Sequence, residues 1–189
     1  MRFVVATHGH CFDGLSSAVV FSRLMKELGA TRPTFEYRTC GYGTGQTRAE
    51  DKLFTGDENA ILDYRFCPTE KLSWYFDHHR TAFADAADRA FFDARLQSHP
   101  YHYDASYSSC TKLVRDVAEQ RYGVAMPELE PLTQWADKID SAAFESAEAA
   151  LDSSQPVMRL ASVVEHHGDS EFLSRLVPRL LDTPLLLNG

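Results

Sequence analysis

The sequence predicts an α/β fold: a parallel β-sheet flanked by helices, followed by a helical C-terminal segment. Short apolar runs alternate with stretches whose apolar residues recur at helical spacing, the pattern of a parallel sheet with crossover helices. Several of those runs stop in aspartate or histidine, and ligands of parallel sheets bind beyond the carboxyl ends of the strands. The 189 residues suffice for one large domain or two small ones. A content of 44% hydrophobic and 24% charged residues argues against a disordered chain.

Phe3, Val4, Val5 and Ala6 form a continuous apolar run, so Arg2 to Thr7 is expected as a short buried strand. Leu15, Ala18, Val19, Phe21, Leu24, Met25 and Leu28 keep helical spacing and Gly29 supplies a stop, with Asp13 just ahead of this helix. A second strand is expected over Thr34 to Thr39. The following Gly41-Tyr42-Gly43-Thr44-Gly45 lacks the Gly-Lys-Ser/Thr ending of a phosphate loop and reads as a flexible turn, with room for a short helix near Asp51 and Lys52. Ala60-Ile61-Leu62 leads into Asp63, and Ser73 to Phe76 runs directly into Asp77-His78-His79. Helices are expected over Tyr107 to Tyr122, opened by Ser108 and Ser109, and over Pro131 to Asp140, which carries Trp135, Asp137 and Asp140. The polar cluster Asp152 to Pro156 reads as a linker before helices at Val157 to His167 and Glu171 to Leu181. The expected division is therefore 1–150, which holds the chemistry-bearing residues, and 151–189, a helical extension. The tail from Pro184 ends on apolar residues, which suggests that further chain follows.

A formal charge of -8 disfavours tight binding to long nucleic acid and leaves small or short phosphate-bearing partners open. Cys11, Cys40, Cys67 and Cys110 form no CxxC pair, so reduced thiols are expected rather than a disulfide framework or a structural zinc site. The N-terminal apolar run is too short for a signal-peptide core, and no stretch approaches a membrane span. A cytoplasmic chain without a membrane partner is the expectation, and a homodimer stays open.

Manganese and magnesium take oxygen ligands, and manganese also accepts imidazole, so a site for them needs carboxylates and histidines converging from separate elements. The candidates are His8, His10 and Asp13 after the first strand, Asp63 after the third, Asp77, His78 and His79 after the fourth, and Asp137 or Asp140 later. Asp63, alone at the end of an apolar strand, suits a carboxylate bridging two cations; by itself it reads more readily as a strand-ending cap, and the company of Asp77-His78-His79 reverses that preference. His166-His167 has no apolar strand leading into it and reads as structural. Ser108, Ser109 and Thr111, at a helix start, are placed to present backbone N–H groups to a phosphate, with plain N-capping as the alternative. Arg80, Arg48 and Lys52 are candidate phosphate contacts, with solvated surface charge as the alternative for each.

In order and spacing, His8-Gly9-His10-Cys11-Phe12-Asp13-Gly14, Leu62-Asp63, Phe76-Asp77-His78-His79 and Asp140 with Phe144 resemble the four motifs of the DHH-family phosphoesterases. The resemblance covers roughly residues 3 to 145. It implies two divalent cations, manganese or else magnesium, that activate water for attack on phosphorus. Carried over by position, His8 and Asp13 would hold one cation, Asp63 would bridge, and His78 with Asp140 would hold the other. The catalytic pair would be His79 and Asp77, with His79 touching the substrate phosphate beside Arg80 and Ser109, and Asp77 orienting an imidazole. Many members carry a second Asp two residues after the first-motif Asp, where this chain has Leu15, a departure that takes a ligand from one site. A subset with the Cys-x-Asp-Gly form resembles this chain. The glycine-rich second domain usual in the family has no counterpart after Leu151. The implied function is a phosphodiesterase or exonuclease acting on short oligonucleotides or small nucleotides. The alternatives are a phosphoanhydride hydrolase resembling inorganic pyrophosphatases and an idle nucleotide- or metal-binding regulatory domain.

Overall fold

Five strands form one sheet in the order β2-β1-β3-β4-β5, with every neighbouring pair parallel. They are β1 (Arg2–His8), β2 (Thr34–Cys40), β3 (Glu58–Leu62), β4 (Trp74–Asp77) and β5 (Tyr101–Tyr103). The structure is a computed structural model that describes residues 1–41 and 47–182. Tyr42 to Gly45 of the glycine-rich turn and the apolar tail from Pro184 therefore lie outside the described residues. The α/β parallel-sheet architecture expected from the sequence is the one observed.

The described helices are α1 (Phe12–Glu27), α2 (Ala86–Arg95), α3 (Cys110–Tyr122), α4 (Glu130–Asp140), α5 (Ala147–Ala150), α6 (Pro156–His167) and α7 (Ser170–Asp182), with a 3₁₀ turn at Asp51–Leu53 where a short helix was expected. Phe3, Val5, Ala60, Leu62 and Phe76 project into one core with α1, α3, α4, α6 and α7. Their neighbours Ala6, Ile61 and Tyr75 project into a second core with Phe66, Phe92 and Tyr101. Burial on both faces is why these strands read as continuous apolar runs instead of alternating ones.

Two helix starts differ from the expectation in ways that matter. Cys11 is the N-cap of α1, so the helix begins at Phe12 and Asp13 lies inside its first turn, not ahead of it. Ser109 is the N-cap of α3, its hydroxyl accepting from Lys112 N at 3.2 Å, so that helix begins three residues after Tyr107. The sequence reading had no element over α2, which Asp85 caps by accepting from Ala87 N and Asp88 N, or over the three-residue edge strand β5.

The boundary expected near residue 150 does not divide two cores. Val157, Val164, Leu173, Val177 and Leu180 share one cluster with Leu15 and Val19. Thr39 N donates to Ser170 Oγ at 2.9 Å and His10 N donates to Gly168 O at 3.0 Å, tying the last two helices to the loop after β1 and the end of β2. The segment from residue 156 is thus a wall of the same domain rather than an extension. None of the described helices is long and apolar enough to cross a membrane.

From β1 the chain builds outward to β2 on one side and to β3, β4 and β5 on the other. The carboxyl ends of β1 and β3 therefore flank the point where strand order reverses, and the loops leaving them part to form a crevice. Gly14 permits the tight turn from β1 into α1 at that crevice, since a Cβ there would come 2.4 Å from His8 O and 2.8 Å from Thr7 Oγ1. Gly14→Ala is expected to cost about 1–3 kcal/mol through forced backbone displacement. Urea unfolding reads this directly, and an unshifted midpoint would contradict the close strand-to-helix packing.

Candidate metal centre

His8 ends β1, Cys11 and Asp13 open α1, Asp63 follows β3, Asp77, His78 and His79 close β4, and Asp140 ends α4. These elements bring their side chains to the β1/β3 crevice. Three sets of ligand atoms lie mutually within 4.8 Å: His8, Cys11 and Asp63; Asp63, His78 and His79; Asp13, His78 and Asp140. The grouping differs from the one the resemblance implied, because Asp13 sits with His78 and Asp140 while His8 sits with Cys11. Asp63 and His78 each belong to two sets.

Backbone geometry fixes this arrangement. Asp63 adopts φ 54°, the left-handed region that aspartate and asparagine tolerate better than most residues. Its N–H donates to Phe76 O at 3.0 Å, which keeps the residue in the sheet as its side chain turns into the crevice. Asp13 is held by the start of α3: Cys110 N donates to Oδ2 at 2.7 Å and Thr111 N to Oδ1 at 3.0 Å. The buried start of α3, where N–H groups without helical partners favour an anion, is thereby occupied by a carboxylate of the protein itself.

That observation corrects the reading of Ser109 as a substrate contact. The N–H groups of Cys110 and Thr111 are spent on Asp13, and Ser109, fully buried, donates its hydroxyl to Asp137 Oδ1 at 3.1 Å. Asp137 also accepts from Ser108 Oγ and from Lys112 Nζ, so it clamps α4 to α3 and leaves the cleft position to Asp140. Arg48 is bound to Asp88 at 2.8 Å and Lys52 to Glu50 at 2.6 Å, while Arg80 is exposed directly after His79. His10 turns away from the ligand sets, its Nδ1 facing Glu165 O at 3.1 Å. His166 and His167 are both exposed and belong to none of the three ligand sets. Leu15 is fully buried in the core beneath α1.

The imidazoles are oriented by separate partners. His78 Nδ1 lies 3.1 Å from Tyr107 O, which directs Nε2 among three carboxylates: Asp140 Oδ2 at 3.3 Å, Asp63 Oδ1 at 3.6 Å and Asp13 Oδ2 at 3.8 Å. His79 Nδ1 lies 2.7 Å from Asp77 Oδ1, and Tyr75 OH donates to the other Asp77 oxygen at 3.1 Å. Asp77 therefore orients His79, and a backbone carbonyl orients His78.

Crowded acids and imidazoles shift one another. Burial, then the neighbouring Asp13, pushes the Asp63 carboxyl up to about 8, and burial with Asp13 raises Asp140 to about 6. Burial alone would lower His78, but the carboxylates of Asp63 and Asp13 with the Tyr107 carbonyl more than offset it and lift the imidazole to about 9. Burial and the nearby His79 lower His8. His78 Nε2 and Asp63 Oδ1 are nonetheless buried without any hydrogen-bond partner. Orphaned buried polar atoms facing one another are costly, and a divalent cation among them would satisfy both. The donor set of carboxylates and imidazoles fits that occupant.

A pH dependence follows. Without metal, the folded protein holds protons on Asp63 and His78 that the unfolded chain releases near 3.8 and 6.5. Folded-state values above the unfolded ones stabilise the metal-free fold at low pH, and that contribution is lost as pH rises through about 8 and 9. Metal ions must displace the same protons, so affinity rises over this window. Manganese is expected to raise the unfolding temperature more at about pH 8.5 than at about pH 6. Equal thermal shifts at the two pH values would contradict the assignment of these groups as ligands.

Fold and site together define an α/β protein with a carboxylate and imidazole centre at the reversal point of a parallel sheet. No protein-family model matches the chain, and no curated protein is similar to it. The DHH resemblance rests on the motif residues themselves.

Proposed function

We propose that the chain is a divalent-metal-dependent phosphoesterase that hydrolyses phosphodiester bonds of short oligonucleotides or small nucleotides through a metal-activated water. The observation that carries this reading is the convergence of His8, Asp13, Asp63, His78 and Asp140 on one crevice, with His78 Nε2 and Asp63 Oδ1 left unpartnered in its floor. Two divalent cations held there, manganese or magnesium in at least one position, would supply the acidified water and the charge neutralisation that phosphate hydrolysis needs. The remaining work falls to the chain's own residues.

With Nδ1 committed to Asp77, His79 has Nε2 left to act, and its side chain is 35% exposed. The Asp77 hydrogen bond raises its pKa against the opposing effect of burial, which favours the protonated ring. A protonated imidazole there gives a charge-assisted hydrogen bond to a phosphoryl oxygen or protonates the leaving alkoxide. His79→Ala is expected to lower kcat by about 10²-fold or more while metal binding persists. A matching loss of metal affinity would instead make His79 a ligand.

Substrate size is suggested by the cleft beside the centre, about 840 Å³, walled by Phe12, Ile139, Phe144, Leu151 and Met158 with Arg159 and Glu165 at its polar side. Segments around α5 and α6 supply much of this wall. An apolar wall next to a phosphate-binding centre suits a nucleobase or other organic group better than bare pyrophosphate. This favours the phosphodiester reading over the pyrophosphatase-like one. The idle-domain reading differs in one outcome, metal binding without turnover. The discriminating assay compares kcat/KM for a dinucleotide and for inorganic pyrophosphate under one metal concentration. Preference for the dinucleotide is expected, and preference for pyrophosphate would overturn the substrate class.

A further inference from the structure

We propose that the centre has two chemically unlike halves: His8, Cys11 and Asp63 take a borderline divalent cation of the zinc type through a Cys11 thiolate, while Asp13, His78 and Asp140 take manganese or magnesium. This deepens the metal-centre reading and depends on it, but not on hydrolysis.

Cys11 stands apart from the other three thiols. Cys110 is fully buried and donates to Phe76 O at 3.3 Å, Cys67 is buried in the second core, and Cys40 packs against that core. Cys11 lines the cleft, and its Sγ falls within 4.8 Å of ligand atoms from His8 and Asp63. Three elements supply these atoms: the end of β1, the residue capping α1 and the residue after β3.

Helix capping is a poor explanation for a cysteine here. N-caps favour Ser, Thr, Asp and Asn, and the contact from Gly14 N to Cys11 Sγ is 3.5 Å long. The same sulfur approaches Asp63 Oδ2 at 3.4 Å. Asp63 is 1% exposed, and its other oxygen, without a hydrogen-bond donor, lies 3.6 Å from His78 and 3.7 Å from His79. The carboxylate thus presents one oxygen to each half of the centre.

Soft thiolate ligands select zinc-like cations over manganese and magnesium, whereas carboxylates favour the latter. One Cys, one His and one Asp make a three-ligand zinc set that leaves a fourth position open. On binding, the Cys11 S–H proton passes to solvent and the sulfur–metal bond takes its place. No redox change is involved.

Cobalt(II) tests this on the full chain stripped of metal, because a thiolate–cobalt bond gives a near-ultraviolet charge-transfer band that carboxylate and imidazole do not. The wild type is expected to show the band, and Cys11→Ser, which installs a better N-cap and so keeps the fold, is expected to lose it while still binding cobalt. Cys11→Asp is expected to lower the zinc-over-manganese affinity ratio by at least about tenfold. Bound cobalt without the band, a band that survives in Cys11→Ser, or an unchanged affinity ratio in Cys11→Asp would overturn the thiolate half alone. Absence of any cobalt binding would overturn the metal-centre reading as well.

Discussion

Asp63→Asn is expected to lower metal-dependent hydrolysis by on the order of 10³-fold or more, since a bridging carboxylate supports charge stabilisation worth several kcal/mol. Asparagine is the right probe because Asp63 sits at φ 54°. Alanine there would add a backbone penalty of about 1–2 kcal/mol and confuse loss of chemistry with loss of fold. Near neutral pH the metal-free variant should unfold at a urea concentration no lower than wild type, because burial already holds the Asp63 carboxyl in its neutral form there and asparagine is neutral too. His167→Ala, an exposed control remote from the ligand sets, should retain activity. Equal losses in both variants would contradict the placement of the site.

Asp13→Ala is expected to fail differently, by destabilising the protein as well as abolishing metal binding. Its carboxylate receives two buried N–H groups at the start of α3, and Thr111 Oγ1 donates to its backbone carbonyl at 3.2 Å. Removing the carboxylate orphans both N–H groups, each worth about 1–3 kcal/mol when left unsatisfied. The urea midpoint of the metal-free variant should therefore fall well below that of Asp63→Asn, with a total cost of about 3 kcal/mol or more. Asp13→Asn, which keeps one acceptor oxygen, should recover part of the stability and none of the metal affinity. Equal stability of Asp13→Ala and Asp63→Asn without metal would show that α3 does not depend on this carboxylate.

The contrast between these residues shows how far the sequence could be read. Apolar runs stopping in Asp63 and Asp77 mark strand ends by local pattern, and those positions follow from it. The role of Asp13 in anchoring α3 does not, because its partners are 97 and 98 residues away. Leu15 stands where the resemblance places a second Asp, and the structure shows which way that position faces. Once Cys11 caps α1, a residue two places beyond Asp13 lies about 200° round the helix and faces the core, whereas Cys11 lies in the extended residue before it. Cysteine is outside the usual set of capping residues, so the start at Phe12 was obscured. Strand β5, three residues at the sheet edge, is too short for a period to register. The polar run at Asp152 to Gln155 has the composition of an interdomain linker, yet here it is a turn that lets α6 and α7 fold back onto α1.

The most direct test of the central claim is hydrolysis of bis-p-nitrophenyl phosphate and a dinucleotide by metal-stripped protein, with manganese, magnesium or chelator added and metal binding titrated in parallel. Cleavage that tracks occupancy of the centre, vanishes with chelator and is lost in Asp63→Asn is the predicted result. Cleavage that persists with chelator, or a fully occupied centre that turns over neither substrate, would contradict the assignment of this cluster as a phosphoesterase site.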